Sequence, residues 1–140
     1  MKNIVLDTNI LVSALWNKQG NPSVIVRQVL EGGLSVCYDS RIIAEYTDVL
    51  NRPEFPFASE DINELLDFIK EKGISVVPPE ADISFADDDD RMLYEVAVFC
   101  NAALITGNTR HYPKESLVMT VVEYLDVLED AFRLNSKANK

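Results

Sequence analysis

Three places in this 140-residue chain set acidic side chains where a strand gives way to a helix: Asp7 in Leu6-Asp7-Thr8-Asn9, Glu45 in Ala44-Glu45-Tyr46, and the run Asp87 to Asp90. Carboxylates gathered from distant parts of a chain repel one another, so such a cluster implies either raised pKa values or a bound cation. The cation is the better solution at a buried strand end, where an unpartnered carboxylate is costly. Carboxylate and water ligands around an octahedral ion select Mg²⁺ or Mn²⁺ over softer metals, and a single histidine leaves zinc poorly served. Each acid also has a plainer reading. The Asp87 to Asp90 run complements the positive end of a helix dipole, Asp7 forms a turn, and Glu45 is a solvated helix residue. Their common position at strand ends favours the site.

The elements that must position these residues alternate. Asn3 to Leu6 reads as a buried strand and is followed by a short helical stretch to about Trp16. Asn21-Pro22 opens a helix, with Asn21 as cap, and Gly32-Gly33 ends it. Leu34 to Tyr38 is a second strand; Asp39-Ser40 then opens a helix with Ile42, Tyr46, Val49 and Leu50 on one face, stopped before Pro53. Ser59 caps the helix Asp61 to Lys72, Gly73 closes it, and Ile74 to Val77 is a third strand. After the loop Pro78 to Ala86, the acidic run starts a helix with Leu93, Val96, Ala97 and Cys100 on its apolar face. Ala103 to Thr106 is the fourth strand, Gly107 to Lys114 a loop, and Leu117 to Met119 a small fifth strand. Thr120 and Glu123 form a capping box for the last helix. The expectation is a single α/β domain over residues 1–134, a three-layer α/β/α sandwich around a parallel sheet of four to five strands, with 135–140 as a flexible tail. Parallel sheets of this kind place their sites outside the carboxyl ends of the strands, where the acids lie.

Composition narrows the classes. Apolar residues make up 47% and charged residues 26%, which is globular rather than disordered. No apolar run is long enough to cross a bilayer, and Asp7 comes too early for a signal peptide, so a cytoplasmic protein without membrane contact is expected. Cys37 and Cys100 read as small buried residues rather than ligands. A formal charge of −10 excludes a general nucleic-acid coat protein, so any nucleic acid must be gripped locally.

Taken in order, Val5-Leu6-Asp7-Thr8-Asn9-Ile10-Leu11, Ser40 through Glu45-Tyr46 to Arg52-Pro53, Asp89-Asp90-Arg91-Met92-Leu93 and Leu104-Ile105-Thr106-Gly107-Asn108 resemble the PIN domain family, in particular its toxin-like branch, the VapC-type ribonucleases of prokaryotic toxin–antitoxin modules. The resemblance spans nearly the whole chain. It implies a Mg²⁺- or Mn²⁺-dependent endoribonuclease, a hydrolase of RNA phosphodiester bonds, with Asp7, Glu45 and Asp90 as three members of an acidic quartet. Asp89 is the alternative in register to Asp90. In that reading Asp7 and Asp90 hold the metal, and Glu45 helps to ligate it or to activate a water. The family's usual Thr-Gly-Asp reads Thr106-Gly107-Asn108 here, which leaves Asn108 as a weak or water-mediated ligand and predicts weaker binding of a second metal. Asp88, Asp89 or Glu95 are candidates for the missing charge, Glu95 ranking low because it lies off the Leu93 stripe.

Thr8, Asn9 and Thr106 carry short polar groups beside the acids; they orient ligands or a phosphate oxygen, or else make ordinary turn hydrogen bonds. Arg91, Arg110, His111 and Lys114, joined by Lys18 and Arg41, are candidates for RNA phosphate contacts, against the plainer alternative of solvated surface pairs. Trp16, Tyr46, Phe55, Phe57, Phe99 and Phe132 read as core or interface residues rather than base-stacking platforms. The segment Arg52 to Phe57 either exposes an apolar patch or packs back on its own domain. The implied substrate is single-stranded or structured RNA, and the resemblance admits an antitoxin protein and a second copy of the chain as partners. Two other classes stand beside the enzyme: a non-catalytic PIN-like module binding RNA or protein through a degenerate metal site, and a receiver-like signalling domain. The position of Glu45 and the lack of a well-placed lysine after the fourth strand argue against the receiver.

Overall fold

The computed structural model describes residues 2–81, 85 and 88–138, and side chains for all of these except 88 and 135–138. Of the acidic run expected to start a helix, Asp89 and Asp90 have described side chains, whereas Asp87 and the Asp88 side chain lie outside the described residues, as do the side chains of the expected tail, 135–140. Five strands form one parallel sheet: β1 (Asn3–Leu6), β2 (Ser35–Tyr38), β3 (Ile74–Ser75), β4 (Ala103–Ile105) and β5 (Val118–Met119), in the order β3-β2-β1-β4-β5. The central pair is apolar on both faces because helices cover both. Ile4, Val5, Ala103, Leu104 and Ile105 are all fully buried, and β1 pairs with β4 from Ile4 opposite Ala103 to Leu6 opposite Ile105. The Asp7 amide extends this ladder by donating to the Ile105 carbonyl at 3.0 Å.

The helices are α1 (Thr8–Trp16), α2 (Asn21–Leu30), α3 (Ser40–Leu50), α4 (Ser59–Lys72), α5 (Asp88–Cys100) and α6 (Val121–Ala138). One group, α1, α2 and α6, packs together, and α3, α4 and α5 form another, giving the three-layer α/β/α sandwich that the sequence predicts. The strand order turns back at β1, which has β2 on one side and β4 on the other. This opens a crevice beyond the carboxyl ends of β1 and β4.

Local chemistry accounts for the element ends. Gly32 leaves α2 with φ 87°, a conformation that costs a side chain strain, and Asn101 follows α5 with φ 50°. A Cβ at Gly73 would collide with the carbonyls of Ile69 and Val36, so only glycine lets the end of α4 pass this close to β2. Thr120 and Glu123 form the expected reciprocal capping box at 3.0 and 3.1 Å. Other ends shift slightly. Gly20, not Asn21, is the cap of α2, with Pro22 in the first turn, and Ala58 takes the cap position expected of Ser59. β3 stops at Ser75, since Val77 is 92% exposed and has nothing to cover. The loop after β4 contains a 3₁₀ turn at Thr109–His111, and α6 runs on to Ala138 past the end of its sequence signals.

Cys37 is buried as expected, whereas Cys100 is only partly buried against the core. Burial, reinforced by the neighbouring Cys100 thiol, pushes the fully buried Cys37 thiol up to about 12. The segment Arg52 to Phe57 packs back on the domain: Phe55 stacks on Phe57 at 5.2 Å, and Trp16 meets both rings edge-on at 6.1 Å while staying 61% exposed. Among the described residues no helix is long and apolar enough to cross a membrane.

Candidate active site

The crevice at the carboxyl end of β1 and β4 is a cleft of about 250 Å³ lined by Asp7, Thr8, Asn9, Glu45, Val49, Arg52, Asp89, Asp90, Leu93, Asn108 and His111. Each acid arrives on a different element. Asp7 ends β1 at the cap position of α1, yet makes no cap hydrogen bond, so its carboxylate is free to face the crevice. Glu45 lies on α3, one residue before the fully buried Tyr46, whose hydroxyl donates to the Leu6 carbonyl and so ties α3 to the end of β1. Asp89 and Asp90 occupy the first turn of α5, anchored by the buried Leu93 a turn later. The sheet edge thus brings together Asp7, Glu45, Asp89 and Asp90.

Two sets of contacts hold these carboxylates. On one side, the buried Thr106 donates its hydroxyl to Asp7 Oδ2 at 2.8 Å, while the Tyr112 hydroxyl lies 3.1 Å from Asp7 Oδ2 and 3.2 Å from Asp90 Oδ1. Tyr112 is a bridge between the two acids. Burial, followed by the charges of Asp7 and Asp90, holds its phenol well above the ordinary tyrosine value, so it remains a donor. On the other side, Glu45 is raised to about 7, first by burial and then by a hydrogen bond and like charge from Asp89. Arg52 moderates that rise without cancelling it. Asn108 Nδ2 lies 2.9 Å from His111 Nε2, and His111 Nδ1 lies 3.4 Å from Asp90 Oδ2.

The fit to a hard divalent ion rests on this donor set. Carboxylate oxygens from Asp7, Glu45, Asp89 and Asp90 share one small cleft, and the mutual crowding seen at Glu45 is what a cation relieves. The side chains are not a ready-made cage: among the described residues no three histidine, cysteine or acidic groups already converge around one point. Two of the acids are instead spanned by the Tyr112 hydroxyl.

Other expected contributors are placed elsewhere. Glu95 cannot supply the missing charge, because it is 4% exposed and bound to Arg41 Nη1 at 2.9 Å and to the Ala81 amide. Arg41 is engaged in the same network, with Asp39 as its second partner at 2.7 Å. Arg91 turns away to the Ala81 carbonyl at 2.8 Å and lies over the Phe85 ring at 5.4 Å. Arg110 and Lys114 line a separate open depression of about 1010 Å³ beside β5 and α6, larger than the acidic cleft and lined also by Glu115, Glu123 and Asp126. Thr8, Asn9 and Thr106 are where they were expected. Arg52, which lines the cleft, and Tyr112, which bridges two of its acids, were not among the expected site residues. Arg52 lies just past the end of α3, which stops at Leu50, so its place beside Glu45 comes from the turn after the helix and not from helical spacing. Tyr112 carried only the weak signal of lying in the loop after β4.

A parallel α/β sheet with acids from β1, α3 and α5 converging at its switch point defines a nuclease-type fold. The PIN domain family model matches residues 3–110, which is most of the chain and includes each of those elements, and the protein belongs to the PIN domain family. No curated protein matches the chain.

Proposed function

We propose that this protein is a divalent-metal-dependent endoribonuclease, the toxin component of a toxin–antitoxin module, in which Asp7, Asp90 and Glu45 would hold Mg²⁺ or Mn²⁺, with Asp89 beside them. The observation that carries the reading is the gathering of four carboxylates in a cleft where Arg52 is the lining arginine and Glu45 is already raised to about 7. A bound ion would supply Lewis-acid polarisation of the scissile phosphate and a more acidic water. The chain's own residues do the rest. Thr106 and Tyr112 fix the Asp7 carboxylate from two directions, which orients it toward the cleft. Asn9 and Arg52 are exposed on the cleft wall and offer an amide and a guanidinium to phosphate oxygens of a single-stranded or structured RNA. Arg52 replaces Arg91 and Arg110 as the first phosphate contact to test.

The test is cleavage of a mixed, labelled RNA pool in Mn²⁺, Mg²⁺ or EDTA, beside an identically purified Asp7→Asn variant. Metal-dependent cutting that the substitution abolishes supports the enzyme. Absence of cutting by folded protein in either metal transfers the reading to a non-catalytic RNA- or protein-binding module, which Asn108 in place of a fourth acid favours. The toxin assignment brings an antitoxin protein or a second copy of the chain as partner, and a cytoplasmic setting. Co-expression with the product of an adjacent reading frame, followed by sizing of the complex, tests it.

A further inference from the structure

We propose that Asn108 is a positioning residue that acts on Asp90 through His111, and that this relay of polar contacts does the work expected of a fourth acid; the inference rests on the metal-dependent reading above. The contact is made by the amide nitrogen, with Nδ2 2.9 Å from His111 Nε2. An amide N–H can only donate, so in the neutral ring Nε2 is the bare nitrogen and the proton sits on Nδ1. The nitrogen that carries it lies 3.4 Å from Asp90 Oδ2, within ion-pair reach of the carboxylate. The opposite tautomer would set an N–H against the amide hydrogens and a lone pair against the carboxylate, so the two neighbours select the same form.

The local backbone keeps the pair in register. The Asn108 amide donates to Thr106 Oγ1 at 3.0 Å, and the His111 amide donates to the Asn108 carbonyl at 3.2 Å, closing the 3₁₀ turn. Thr106 is therefore tied both to Asp7 and to the turn that carries Asn108. Asp90 is held at both oxygens, Oδ1 by Tyr112 and Oδ2 by the longer His111 contact. An aspartate at position 108 could not donate to Nε2, so it would remove the group that sets the ring. Asn108 is suited to orienting a ligand rather than to being a weakened one.

The chain has one histidine, which makes the ring directly readable. In tag-free, metal-free, ¹⁵N-labelled protein above the ordinary histidine titration range, two-bond ¹H–¹⁵N spectra should report the Nδ1–H form in wild type and a tautomer mixture in Asn108→Ala. Calorimetric Mn²⁺ titrations of wild type, Asn108→Ala, His111→Ala and the double variant form the second arm. Each single change should weaken Mn²⁺ binding by about tenfold, as loss of an outer partner does, and the double variant should be no weaker than His111→Ala. Both side chains are exposed, so the variants should fold. An Nε2–H ring in wild type overturns the proposal, as do additive losses in the double variant or unchanged affinity in both singles. Wild type that binds no Mn²⁺ refutes the metal-dependent reading instead, and the ring spectrum still decides whether Asn108 sets His111.

Discussion

Asp7 and Asp39 occupy matching junctions, each ending a strand and standing at the cap position of the next helix, yet their carboxylates have different fates. Asp39 caps α3 by accepting from the Ile42 amide at 3.0 Å and binds Arg41, which also binds the buried Glu95. Every charge in that cluster has a partner. Asp7 leaves α1 uncapped and, among the described residues, its carboxylate accepts from the hydroxyls of Thr106 and Tyr112, with more acids beside it. Hydroxyl donors orient a carboxylate without neutralising it. The same local sequence device thus builds a closed ion-pair network in one place and a cation-seeking cleft in the other.

The comparison can be broken most forcefully at Arg41. Arg41→Met strands Asp39 and Glu95, 6% and 4% exposed, without their cation. Urea denaturation should show a loss of about 3 kcal/mol, the low end for breaking a buried pair because Arg41 itself is half exposed. A next, smaller effect is expected from Tyr112→Phe, which removes the donor between Asp7 and Asp90. The metal-free protein should lose about 2 kcal/mol, as for a hydrogen bond to a charged group. Saturating Mn²⁺ should shrink that loss, and an equal loss with and without Mn²⁺ would make the hydroxyl a packing group only.

The smallest effect concerns pH. Glu45 is raised in the folded protein from 4.5 to about 7, so between those values the folded state holds more proton than the unfolded chain. Its contribution therefore falls as pH rises through that window, the reverse of an ion-paired carboxylate. Metal-free Glu45→Gln should show a flatter decline in melting temperature across that range than wild type, by a modest amount because Glu45 is only partly buried and solvent screens it. Parallel declines would remove the crowding between Glu45 and Asp89 from the account.

Much of this was legible in the sequence, and for identifiable reasons. Short apolar runs such as Ile4 to Leu6 and Ala103 to Ile105, too brief for helices and bounded by polar residues, read as buried strands, and the glycines and the Thr120–Glu123 box mark helix ends by local chemistry. The acids could be read because strand ends of a parallel sheet share one edge. What was not legible depended on side-chain direction across elements. Arg91 follows Asp90 directly yet points to the Ala81 carbonyl, since adjacent helix positions face different ways. Glu95 found Arg41 from 54 residues away, and Tyr112 reached Asp7 from 105, pairings that no local spacing encodes.

The central claim, that the four carboxylates of the Asp7 cleft outnumber the one guanidinium, Arg52, among its described lining residues and are completed by a divalent cation, is tested most directly by thermal unfolding of wild type and Asp7→Asn with increasing Mn²⁺. A ligand that binds only the folded state raises its melting temperature with concentration. The account predicts a progressive rise in wild type that Asp7→Asn abolishes. An equal rise in both proteins, or none in wild type, would contradict it.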